Sequence, residues 1–216
     1  KQMAATGKRE KEEMIPFWAA KFGQFITNST MRNIIGQTKS AFDFSDVMNS
    51  GKILLINASK GELGEFNSNL LGMIIVTKLT QAAFRRAGMD PKDRRDFYLY
   101  IDEFQNFVTD SIEAILSEAR KYRMSLNIAH QYIGQLTTDK NDKIKNAVFG
   151  NVGSMMCYKI GAQDAEYMAK EYGPTFNEQD LINSDVRKAV AKISVDGQPS
   201  RPFTLIAENP FKRDAN

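Results

Sequence analysis

The sequence carries one cysteine, one histidine, one tryptophan and six prolines in 216 residues. A lone Cys157 excludes an intrachain disulfide framework and fits a reducing compartment. One histidine beside one cysteine leaves no zinc site of the usual kind. No apolar run reaches the roughly 18 residues a membrane helix needs. The longest stretches, Ile53–Ile56 and Leu70–Val76, are of strand length or sit among polar breaks. The opening Lys1-Gln2-Met3-Ala4 lacks the charged-then-apolar order of a signal peptide. Its first residue is not methionine, which suggests part of a longer chain. Net charge is also scarce: at +3 it permits an anionic partner without arguing for one, because nucleic-acid binding needs clustered charge.

What is present is an ordinary globular mix, 42% hydrophobic and 25% charged, long enough to bury a sizeable core. No internal repeat or low-complexity segment stands out. Residues to about Asn49 read as helical. From Glu10 to Ile26, apolar Met14, Phe17, Trp18, Phe22 and Phe25 recur three and four apart, which marks one buried face. Short helices are expected around Ser29–Ile35 and Asp43–Met48, each opened by a capping residue. Gly51-Lys52 then leads into Ile53-Leu54-Leu55-Ile56, a continuous apolar run of the kind a buried parallel strand shows.

A long helix is expected from Glu65 to Ala87, ended by Gly88 and Pro91. Strands are expected at Phe97–Ile101, Ser125–Ala129 and Val152–Ile160. Helices fall at Ser111–Tyr122, Lys140–Phe149 and Ala162–Tyr172. The end reads as two strands, Ala189–Val195 and Pro202–Ala207, joined by Asp196-Gly197-Gln198-Pro199 as an antiparallel hairpin. Strands alternating with helices imply an α/β fold whose mostly parallel, right-handed sheet is flanked by helices on both faces.

The chemistry concentrates at the end of Phe97-Tyr98-Leu99-Tyr100-Ile101-Asp102-Glu103. Ligands of open parallel sheets bind at the carboxyl ends of strands, and an apolar strand ending in two acids matches the hhhhDE pattern of a Walker B motif. There the first acid holds magnesium on a nucleotide, usually through water, and the second polarises an attacking water. The same two acids would also suit the start of a solvated loop. Gln131, after the strand Ser125–Ala129, would hydrogen-bond a γ-phosphate or simply occupy a βα loop. Arg120, in Glu118-Ala119-Arg120-Lys121-Tyr122-Arg123, fits a helix C-terminus on dipole grounds, the reading that position alone favours; the sharper alternative is an arginine directed at a neighbouring subunit's nucleotide. Arg123 lies close enough to exchange roles with it. Cys157 reads as a core thiol, His130 as a loop polar group and Lys60 as a surface-loop lysine that could touch phosphate backbone.

Four segments together resemble a known family. Lys-Ile-Leu-Leu-Ile-Asn-Ala-Ser-Lys-Gly-Glu-Leu-Gly (52–64), Tyr-Leu-Tyr-Ile-Asp-Glu-Phe-Gln-Asn-Phe (98–107), Ser-Glu-Ala-Arg-Lys-Tyr-Arg-Met-Ser-Leu-Asn-Ile-Ala-His-Gln (117–131) and Gln135-Leu136 look like TraG/TraD-type coupling proteins of type IV secretion. These belong with the HerA/FtsK-like P-loop ATPases. The likeness continues through Asn151–Ser154, Gly161–Ala165 and Ser200–Phe203, and so covers most of the chain from about Ile34.

The resemblance implies a RecA-like core over 51–216, preceded by a helical segment over 1–50. It implies ATP and Mg2+ as cofactors, bound at subunit interfaces of a ring, usually a hexamer. Asp102 matches the magnesium acid, Glu103 the catalytic glutamate, Gln131 the glutamine after the next strand and Arg120 the arginine acting in trans. Implied partners are DNA, single- or double-stranded, or a secreted protein, with secretion-channel and relaxosome proteins. The implied location is the bacterial cytoplasm, with any membrane anchor outside this chain. One departure matters: the phosphate loop G-x-x-x-x-G-K-[ST] is absent, since Gly7-Lys8 is followed by Arg9 and Gly51-Lys52 by Ile53. Nothing else in the chain supplies such a cradle. The expectation is therefore a fragment of a DNA-translocating motor, inactive alone. The alternatives are a protein-secretion ATPase of the same apparatus or a non-catalytic docking module.

Overall fold

The computed structural model describes Pro16, Gly23 and residues 27–108, 111–137 and 142–208. The helix expected over 10–26 lies, apart from Pro16 and Gly23, outside the described residues. The chain divides into two compact units, Lys1–Ala129 and His130–Asn216.

In the first unit, α1 (Ser29–Ile35) and α2 (Phe44–Asn49) begin where sequence places caps. Asn28 Oδ1 accepts the Met31 N–H, and Asp43 Oδ1 accepts those of Ser45 and Asp46. These bonds satisfy amide donors that a helix start leaves unpaired. The short helix α3 (Lys60–Leu63) precedes α4 (Glu65–Arg85). The buried residues of α4, Ser68, Leu71, Gly72, Val76, Leu79, Thr80, Ala82 and Ala83, recur mostly three and four apart. Its two buried hydroxyls are both satisfied by carbonyls, Ser68 Oγ donating to Ala58 and Thr80 Oγ1 to Val76.

Strands β1 (Phe97–Ile101) and β2 (Met124–Ile128) pair in parallel, Phe97 opposite Met124 and Ile101 opposite Ile128. Helix α5 (Ser111–Glu118) and the 3-10 turn Ala119–Tyr122 lie between them in the chain. The ladder runs one step past the strands, with Ala129 N–H on the Ile101 carbonyl and Phe104 N–H on the Ala129 carbonyl. Along β1, Ile101 is buried, whereas Tyr98 and Tyr100 are exposed. Among the described residues, the face of this parallel pair that carries Tyr98 and Tyr100 is left open.

A correction concerns Ile53–Ile56, which forms no strand. Ile53 and Leu55 are each 88% exposed. An apolar run becomes a central strand only where neighbours pair with its backbone and cover both its faces, and the described residues provide neither.

The second unit is built on antiparallel pairing. Strand β3 (Met155–Cys157) runs against β4 (Lys188–Lys192), which in turn runs against β7 (Phe203–Ile206). The segment expected to be a fourth parallel strand over 152–160 is thus shorter and antiparallel. Apolar patterning reports burial and is silent on strand direction. The expected C-terminal hairpin is present. Its tip pairs β5 (Ser194–Val195) with β6 (Gln198–Pro199) across Asp196 and Gly197, at φ 50° and 78°. A two-residue type I′ hairpin turn requires positive φ at both positions. Helices α6 (Lys143–Asn151), α7 (Ala162–Tyr172) and α8 (Glu178–Ile182) complete the unit. Its core gathers Ile133, Ala165, Met168, Tyr172, Leu181 and Val190. Cys157 packs against that core, as expected of a core thiol. No helix among the described residues is long and apolar enough to cross a membrane.

Candidate active site

At the carboxyl end of β1 the buried Ile101 is followed by exposed Asp102 and half-buried Glu103. The chain turns sharply there: Glu103 sits at φ 49°, a left-handed conformation uncommon for residues other than glycine. A 3-10 turn over Phe104–Phe107 follows, anchored by the fully buried Phe104. Asp102 Oδ1 accepts the Glu103 backbone N–H at 3.0 Å. Glu103 Oε2 accepts a hydrogen bond of 2.5 Å from Gln105 Nε2.

The two acids border a cleft of about 450 Å³ whose polar rim adds Asn57, Ser59, Lys60 and Asn106. Its floor is apolar, supplied by α4 and β1. Lys60, read from sequence as a surface lysine, is held in this rim by Glu65 Oε1 at 3.1 Å and Asn106 Oδ1 at 3.3 Å. Sequence reasoning passed over Asn106. Its signal was position, three residues past the second acid on a turn that returns toward the strand end. Gly72 in α4 makes this closeness possible, because a Cβ there would overlap the Phe107 ring.

The donor set suits magnesium. Asp102 is a solvent-facing carboxylate, and its Oδ2 has no protein partner among the described residues. An oxygen ligand open to hydrated metal is what Mg2+ prefers, since it keeps several of its waters.

Arg120 and Arg123 differ in circumstance. Arg120 lies on the 3-10 turn Ala119–Tyr122, exposed, and its side chain has no hydrogen bond or ion pair among the described residues. Arg123 caps that turn at φ 54° and pairs with Asp96 at 3.3 Å. Gln131 belongs to the second unit, where its backbone N–H donates to Gln135 Oε1 at 3.0 Å. The first unit therefore brings Asp102 and Glu103 together, with Lys60 and Asn106 beside them.

The paired acids stand at the carboxyl end of a parallel strand, the place where open α/β sheets bind their ligands. The chain belongs to the type IV secretory system conjugative DNA transfer family, whose sequence profile matches residues 18–197. Its fold is similar to that of a bacterial conjugative coupling protein, TrwBdeltaN70, in an unbound monoclinic form, with a TM-score of 0.53 at 14% sequence identity. That match covers 69% of this chain and 38% of the other, so the chain spans well under half the length of the coupling protein it resembles. No protein of curated function matches the sequence. The likeness to coupling proteins read from residues 52–64, 98–107 and 117–131 is borne out at the level of family and fold.

Proposed function

We propose that the chain is part of an ATP-driven motor that moves DNA during conjugative transfer. The observation that carries this reading is the Asp102–Glu103 pair at the carboxyl end of β1, in a chain of a conjugative DNA transfer family. In this reading Asp102 would hold hydrated Mg2+, whose charge would offset that of the phosphates. Glu103 accepts a proton from, and orients, the attacking water. Its tether to Gln105 fixes the carboxylate, and the positive φ of its backbone lifts it from the strand line. Gln131 hydrogen-bonds the γ-phosphate or the water, and Arg120 acts on the nucleotide of an adjacent copy in a ring, a hexamer by family resemblance. The phosphate loop is contributed by a further segment of a longer protein. The match over only 38% of a coupling protein leaves room for one. Location in the bacterial cytoplasm, with relaxosome and channel proteins as partners, belongs to the same proposal.

The test is ATP turnover by the longer protein with and without single- and double-stranded DNA, beside Glu103→Gln. DNA-stimulated turnover abolished by the substitution supports the motor. Turnover indifferent to DNA points to protein cargo, and an inactive longer protein, or one unaffected by Glu103→Gln, removes the catalytic roles.

A further inference from the structure

Three side chains converge on three consecutive residues of the turn between α5 and β2. Arg94 Nη1 donates to the Lys121 carbonyl at 2.6 Å. Arg86 Nη1 donates to the Tyr122 carbonyl at 2.8 Å. Asp96 Oδ1 accepts from Arg123 Nη1 at 3.3 Å. Both of the donating arginines are themselves fixed at other points. Arg94 Nη2 reaches the Met89 carbonyl at 2.8 Å, and its guanidinium stands 5.7 Å from the centre of the Tyr122 ring. Arg86 bonds the Arg95 carbonyl at 2.8 Å, the Met48 carbonyl at 2.9 Å and Asn49 Oδ1 at 2.9 Å.

Arg86 is 1% exposed and no carboxylate is among its bonding partners, an unusual state for a side chain almost never buried without an ion pair. Its fork is used on acceptors from the end of α2, from Arg95 just before β1 and from the turn. A planar guanidinium fixes the relative placement of the groups it bonds, which a flexible ammonium does not. The backbone completes the frame: Arg123 N–H donates to the Arg120 carbonyl and Phe97 N–H to the Arg123 carbonyl. Residues 121, 122 and 123 are thus each held. Arg120 is the one guanidinium of the turn that this frame leaves uncommitted and in solvent.

We propose that Arg86 and Arg94 are positioning residues that hold the 119–123 turn so that Arg120 is presented outward to a neighbouring copy's nucleotide, with Arg123 part of the frame. This rests on the reading of Arg120 as an arginine acting in trans. A charged group that must meet a developing phosphate charge loses rate steeply with small misplacement, so a rigid mounting has a direct kinetic value.

The experiment measures kcat and KM for ATP in the complete protein for Arg94→Ala, Arg120→Ala, Arg123→Ala and the Arg94→Ala/Arg120→Ala pair. Arg94 is chosen over Arg86 because loss of the buried Arg86 endangers the fold. Arg120→Ala is expected to lower kcat about a thousandfold, and Arg94→Ala about 10- to 100-fold. KM is expected to stay within about twofold in both. The double variant should be no slower than Arg120→Ala alone, within about twofold, because a mount has no effect once its cargo is gone. General structural damage would instead slow the double variant further, and that additive result overturns the proposal. An unchanged kcat in Arg94→Ala, with Arg120→Ala impaired, also overturns it while sparing the role of Arg120. If Arg123→Ala is the severe variant, the assignment of the two arginines is wrong. If Arg120→Ala is harmless while Glu103→Gln abolishes turnover, the trans role of Arg120 falls and the mount with it.

Discussion

Glu103 and Gln105 are joined side chain to side chain, Gln105 Nε2 donating to Glu103 Oε2 at 2.5 Å across a single intervening residue. That residue, Phe104, is fully buried, so the tether is anchored in the core even though the acids stand at the surface. Gln105→Ala removes this tether while keeping the carboxylate. Turnover of the complete protein should fall about tenfold through lost orientation. Stability should stay within about 0.5 kcal/mol, because Gln105 also leaves its Oε1 buried without a partner and truncation removes that orphan together with the bond. Steady-state kinetics beside urea unfolding checks both halves. A large stability loss with unchanged kcat would make Gln105 a purely structural residue.

Gly72 decides how closely the turn after the two acids approaches α4. Replacing a helical glycine by alanine gains about 1 kcal/mol of intrinsic helix stability. A Cβ here, however, overlaps the Phe107 ring, and overpacking costs about 1–3 kcal/mol. The clash should win or cancel, so Gly72→Ala is expected to be neutral to about 2 kcal/mol destabilising. Gly88, at which nothing stands within contact of an added Cβ, is the control for steric room. A clear stabilisation by Gly72→Ala in thermal melts would show that the ring moves aside freely.

These local relationships were unequally visible in the sequence. β1, β2 and α4 were legible because each has a strong period and clear punctuation, Asp102-Glu103 ending one strand and Gly88 with Pro91 closing the helix. The acid pair was legible for the same reason, being a local motif at a strand end. Ile53–Ile56 misled, since its apolar run advertises burial that only distant neighbours could supply. Met155–Cys157 gave no sign of its direction, which is set by β4 more than thirty residues on. Arg86 was invisible: a basic residue at the end of a long helix reads as a solvated partner of the helix dipole. Only the fold shows three backbone carbonyls and Asn49 converging on it.

Arg86→Leu should accordingly be among the most damaging substitutions in the first unit. It keeps bulk but strips hydrogen bonds from the Met48, Arg95 and Tyr122 carbonyls and from Asn49. The Met48 acceptor is buried and the other three partly so; a buried acceptor left unpaired costs about 1–3 kcal/mol, so a loss of about 3 kcal/mol in all is expected. Arg86→Lys should recover only a minor part, because one ammonium cannot span acceptors arranged for a planar fork. Urea midpoints of the two variants test this. Near-equal stability of Arg86→Lys and the parent would show that charge alone suffices.

Leu55 offers the opposite case. At 88% exposure its side chain contributes little burial, so Leu55→Ser should change the stability of this chain by less than about 0.5 kcal/mol. It should nevertheless reduce self-association, because an exposed apolar segment with no ladder partner among the described residues invites pairing with another chain. Light scattering against concentration, for the parent and the variant, checks the expectation. Equal association would place the sticky surface elsewhere, with Tyr98 and Tyr100 the next residues to change.

Cys157 sets a pH dependence whose sign can be worked out. Burial, with a smaller contribution from the Asp164 charge, pushes its thiol from 9.0 up to about 11. Burial likewise holds the Tyr172 hydroxyl above its ordinary value, aided by Cys157 and Glu171. Both groups ionise more readily in the unfolded chain, so the unfolded state binds fewer protons once pH exceeds about 9, and stability falls as pH rises. The contribution of Cys157 is intact below pH 9 and is lost progressively as pH rises toward and through about 11. Cys157→Ala should therefore flatten the decline of the urea midpoint across that window while leaving the curve below pH 9 parallel to the parent. The same shift makes the thiolate about a hundredfold scarcer at neutral pH than in an unburied thiol, so alkylation of the native chain at pH 8 should be correspondingly slow. Fast modification at pH 8, or an unaltered decline between pH 9 and 11 in the variant, would show that the core around β3 opens readily and that the thiol is not held in its buried form.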